Sequence, residues 1–161
     1  MTLLPSRRTA VAGLVALASA PAFGQAGPTY SAVAVDVGPL RAKGLGPYAE
    51  TVGRTLQAEL AQVFADRIAP GGPRLVVRVD ALSMQAYVGG ENRIVGGAVP
   101  NDYLDGEALV VGRRGEVLSR LPQLSVLPSN LGGAWYDPES EGRRVVAIAR
   151  HYAAWLRRRL G

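Results

Sequence analysis

The chain has 161 residues, is 48% hydrophobic and carries 20 Gly and 11 Pro, which suits one globular domain able to bury its own core. It has no cysteine, which excludes disulfides, thiolate metal sites, cysteine nucleophiles and a lipid-bearing cysteine. The formal charge of +5 is mild, and a single histidine cannot build a His-rich metal site.

Residues 1–26 read as a cleaved export leader. Arg7 and Arg8 form a charged start, residues 9–20 are a short Ala-rich apolar run, and Ala20, Pro21 and Ala22 fit a small-residue cleavage site. The run is too short to anchor stably in a bilayer. The arginine pair leaves two routes open, a Sec leader or a twin-arginine leader. Residues 27–161 are then one mature domain, expected in the periplasm as a soluble protein with no membrane-spanning segment.

Residues 30–37 form the first expected strand, with Val33, Val35 and Val37 alternating with Ala32, Ala34 and Asp36. Three glycines and a proline make 38–46 a loop. Residues 47–68 are the first helix. Pro47 suits its first turn, and Tyr48, Val52, Leu56, Leu60, Val63, Phe64 and Ile68 form an apolar stripe at three- and four-residue spacing. Pro70, Gly71, Gly72 and Pro73 stop it.

Residues 75–84 are the spine of the sheet. Leu75, Val77, Val79 and Ala81 share one face; Val76, Leu82 and Met84 share the other. A strand apolar on both faces is expected to be covered on both sides or to lie centrally. Residues 89–106, with glycine pairs at 89–90 and 96–97, read as a long loop. A hairpin follows, with arms at 107–111 and 116–121 around Gly112 and Gly115; 123–127 extend the second arm, which Pro122 marks as an edge strand or a bulged one. Residues 129–136 form a second loop. Asp137, Pro138 and Glu139 then start a last helix that runs to about Leu160, with Val145, Ile148, Ala149, Tyr152, Leu156 and Leu160 as its stripe.

The order β-α-β-β-β-α gives an α+β fold: a four-stranded, mainly antiparallel sheet packed with two amphipathic helices. A leader, a strand, a long helix, a three-strand meander and a final helix resemble the plan of the LPS-assembly lipoprotein and of auxiliary envelope proteins of ABC transporters. The resemblance rests on element order and matches no motif residue. The acylated cysteine of those lipoproteins is missing here.

No set of residues forms a catalytic signature. There is no G-x-S-x-G elbow for a serine triad and no phosphate-binding glycine loop. Asp102, Asp105 and Glu107 do not match the spacing of a calcium loop, so neither metal nor cofactor is expected. Candidate binding residues are Asn101, Asp102, Tyr103, Trp135 and Tyr136, read as loop residues flanked by glycines, together with Arg150 and Arg157 on the basic side of the last helix. Loop aromatics offer large contact area at low entropy cost, and arginines suit anionic headgroups or an acidic partner. The expected function is therefore a non-catalytic accessory or binding protein that contacts an envelope protein or an anionic envelope component. No nucleic-acid partner is expected. The alternative is a small periplasmic hydrolase using the loop carboxylates.

Overall fold

The computed structural model describes residues 27–84, 100–134 and 136–161. Residues 1–26 (the expected leader), most of the expected long loop and Trp135 lie outside the described residues. The element order is β1 (Ala32–Asp36), α1 (Gly38–Ala42), α2 (Gly46–Val63), a 3₁₀ turn (Ala65–Arg67), β2 (Arg74–Ser83), β3 (Asn101–Val111), β4 (Val117–Pro128), a second 3₁₀ turn (Ser129–Gly132) and α3 (Ser140–Arg159). The strands lie side by side in the order β1-β2-β3-β4. β1 and β2 are parallel, as a strand–helix–strand crossover requires, and β2–β3 and β3–β4 are antiparallel. The fold is α+β with a mixed sheet, mainly antiparallel.

Both long helices lie on one face of the sheet and pack against each other. Leu56 and Leu60 of α2, Leu75, Val77 and Val79 of β2, Leu104 of β3, and Ile148, Tyr152 and Leu156 of α3 belong to one fully buried cluster. Gly53 lets α2 come close to the end of β1, since a Cβ there would stand 3.1 Å from Val37 Cγ1. No described element covers the other face of the sheet.

The spine strand resolves its two-sided pattern with a β-bulge. The register with β3 shifts between Val79 and Ala81, so one extra residue is inserted and the alternation changes phase. Leu75, Val77 and Val79 before the bulge, and Leu82 and Met84 after it, all pack toward the helices. Covering on one face therefore suffices. A Cβ at Gly106, opposite Val79, would collide with the Arg78 carbonyl oxygen, so the bulge also dictates that glycine.

Four expectations are corrected. Residues 38–42 form the short helix α1 instead of loop: Pro39 suits a first turn and Leu40 is fully buried. Residues 101–106 belong to β3, where Asp102, Leu104 and Gly106 point to the helices while Tyr103 and Asp105 point away. The polar look of this stretch comes from one open face and from an acid with a buried partner. α2 ends at Val63, and Ile68 leaves the stripe to form an isolated bridge with Tyr30. α3 begins at Ser140; Asp137 instead organises the preceding turn by accepting the Glu139 N–H at 2.9 Å.

Candidate functional site

Helix α3 carries Arg143, Arg144, Arg150, Arg157, Arg158 and Arg159, and the fold gives them different work. Arg144 is buried and grips Asp102 of β3 with two guanidinium nitrogens, Nε at 2.7 Å from Oδ2 and Nη2 on Oδ1. Arg157 reaches Asp66 at 2.8 Å and the Val63 carbonyl at 3.1 Å, with its guanidinium 5.6 Å from the centre of the Phe64 ring. Arg159 donates to the Pro122 carbonyl at 2.7 Å, and Arg158 lies 4.6 Å over the Trp155 ring.

Arg143 and Arg150 rim a surface groove of about 580 Å³ between the second 3₁₀ turn and the N-terminal half of α3. Leu131, Pro138, Val146 and Ala147 form its apolar lining. Leu131 and Val146 remain 54% and 36% exposed, large fractions for aliphatic side chains. Arg143 is fixed by the Gly132 carbonyl at 2.8 Å and by Asp137. Asp137 in turn is held below the usual carboxylate range, first by the Glu139 N–H and then by Arg143. Arg150 makes longer contacts, 3.2 and 3.4 Å, to Glu59 of α2, and two thirds of its side chain is exposed. A guanidinium has five N–H donors, so Arg150 keeps donors for a ligand.

The structure separates the residues singled out by the sequence. Asn101, Asp102 and Tyr103 lie on β3, with Asp102 in the buried pair with Arg144 and Tyr103 on the open face. Tyr136 is 74% exposed just before α3, and Arg150 borders the groove. Arg157 sits at the far end of α3 against α2. Asp102 and Asp105 point to opposite faces of β3 and share no cleft. Among the described residues, no three acidic or histidine side chains converge as a metal site.

Leu131, Pro138, Val146 and Ala147 are the groove residues that sequence reasoning missed. One signal was available: Val145 and Val146 are adjacent on a helix, so only one of them can join the buried stripe. Val146 is the one left on the outer surface.

Fold and groove together define a two-layer α+β domain with a surface groove along α3. No family model matches the chain, and no curated protein matches it. Among solved structures, a minor lipoprotein from Acinetobacter baumannii is similar at a TM-score of 0.45 and 12% identity, over 83% of this chain and 92% of that one. A likeness of that size transfers no function. No helix among the described residues is long and apolar enough to cross a membrane.

Proposed function

We propose that the protein is an exported, non-catalytic accessory protein of the cell envelope that holds a segment of a partner protein in the groove along α3. The leader pattern of residues 1–26 supports export, by the Sec or the twin-arginine route, with 27–161 as the mature domain. The observation that carries the binding role is the groove itself. It sets two exposed aliphatic side chains between two arginines whose guanidinium groups are positioned by acids and a carbonyl of the chain. Apolar residues with a few oriented polar groups are the usual chemistry of a recognition site. The arginines arrive with counterions already in place, which favours a short apolar segment with one or two carboxylates over a dense polyanion. Tyr136, 74% exposed, precedes the groove residue Pro138 by two positions.

The test is a photocrosslinking residue placed at position 146 in the cell envelope, with Leu118 on β4 as the control position. The reading expects a discrete crosslinked partner from position 146 that is not captured from 118. Absence of a species at 146, or the same species from both positions, contradicts it.

A further inference from the structure

β4 lies at one edge of the sheet, and its outer side tells a second story. Along an antiparallel ladder, residues alternate between those that exchange backbone hydrogen bonds with the neighbour strand and those whose N–H and C=O point away. Pro122 has no N–H, and its carbonyl accepts from Arg159, so it points away from β3. The register with β3 then turns Leu124, Val126 and Pro128 outward as well, while Gln123, Ser125 and Leu127 bond inward. The outward N–H groups of this stretch are those of Leu124 and Val126. They are bracketed by two prolines at equal distance from Ser125.

We propose that β4 is a homotypic docking edge: two copies of the chain pair antiparallel about a two-fold axis through Ser125, joining their sheets into one. In that register Leu124 of each copy faces Val126 of the other, and each pair exchanges both hydrogen bonds. Pro122 of each copy faces Pro128 of the other, so no N–H is stranded against a proline. Arg159 supplies to the Pro122 carbonyl the donor that the facing Pro128 lacks. Beyond Pro128 the chain leaves the sheet into its 3₁₀ turn, which ends the pairing window in both copies. A two-fold centred on Leu124 or on Val126 instead sets a proline opposite a residue whose carbonyl then has no donor.

One further observation fits a second copy better than an unrelated strand. On the open face, Leu124 and Val126 are 54% and 39% exposed, and Tyr103 stands opposite Val126 on β3. The two-fold joins these residues from both copies into one apolar cluster. At the other end of β4, a bulge near Leu118 ends regular pairing, a common device for confining what an edge will accept.

Sedimentation equilibrium of the full chain is expected to show a concentration-dependent mass rising to twice that of the monomer. Val126→Lys alters a partly exposed side chain, so it is expected to keep the circular dichroism and melting temperature of a folded monomer and to lose the dimer. The register is readable because the chain has no cysteine. Leu124→Cys chains mixed with Val126→Cys chains are expected to form a disulfide, since Cα atoms of a hydrogen-bonded pair lie about 5.5 Å apart, within bridging range. Either variant alone should cross-link poorly. A wild-type chain that stays monomeric at high micromolar concentration overturns the proposal. So does a dimer indifferent to Val126→Lys, or self-linking of Leu124→Cys as efficient as the mixed reaction.

Discussion

Asp102 and Glu107 lie on the same strand, and each is held by two guanidinium nitrogens, but on opposite faces of the sheet. Asp102 is closed beneath α3, and both it and Arg144 are almost wholly buried. Glu107 lies on the open face, where Arg78 at 2.8 Å and Arg120 at 2.9 Å reach it from the neighbouring strands with their own side chains 37% and 56% exposed. The chemistry is alike and the consequences differ. Beneath the helix neither charge can turn to water, so the pair ties β3 to α3 and removing one partner takes a buried charge away from the other. On the open face, water and salt screen the ladder.

The largest effect tests the covered side. Asp102→Ala is expected to lower unfolding stability by about 3–5 kcal/mol, because a buried Arg144 loses its counterion. Denaturant unfolding measures it, and a loss below about 1 kcal/mol would place the pair with ordinary surface bridges. Gly106→Ala tests the seam between the two faces. The added methyl meets the Arg78 carbonyl at the bulge, and a cost of about 1–3 kcal/mol is expected, as for other overpacked sites. Glu107→Gln tests the open side, with an expected loss of at most about 1 kcal/mol that shrinks as salt is raised. A salt-independent loss as large as that of Asp102→Ala would erase the distinction between the faces.

The smallest effect concerns the turn that frames the groove. Asp137 titrates below its ordinary value in the folded chain, so its ionised form contributes stability above the unfolded value of about 3.9, and that contribution fades as pH falls through the lower folded value. Wild type should therefore melt slightly above Asp137→Asn at neutral pH, and the two should converge in acid. A gap that widens as pH falls would reverse the sign and reject the capping role.

Much of the covered face was legible in the residues. The stripe from Val52 through Leu56 to Leu60 repeats at helical spacing and is buried as expected. The broken alternation from Val79 to Leu82 was visible as well, but it looked like a two-sided strand. Periodicity alone cannot tell a strand covered twice from a strand that changes phase at a bulge. The start of β3 was hidden for a different reason. Asn101, Asp102 and Asp105 read as loop residues, and Asp102 makes sense in a strand only beside Arg144, 42 positions away. The groove was harder still. Tyr136 and Arg150 were visible by type, whereas Leu131 and Val146 acquire meaning only once the 3₁₀ turn is folded against α3.

The central claim is that binding belongs to the outer surface of α3, apart from the buried side that holds the fold. Val146→Glu measures this most directly, read as melting temperature and as retention of the partner crosslinked at the groove. The account expects an almost unchanged melting temperature together with lost retention. Undiminished retention by a folded Val146→Glu protein would contradict it.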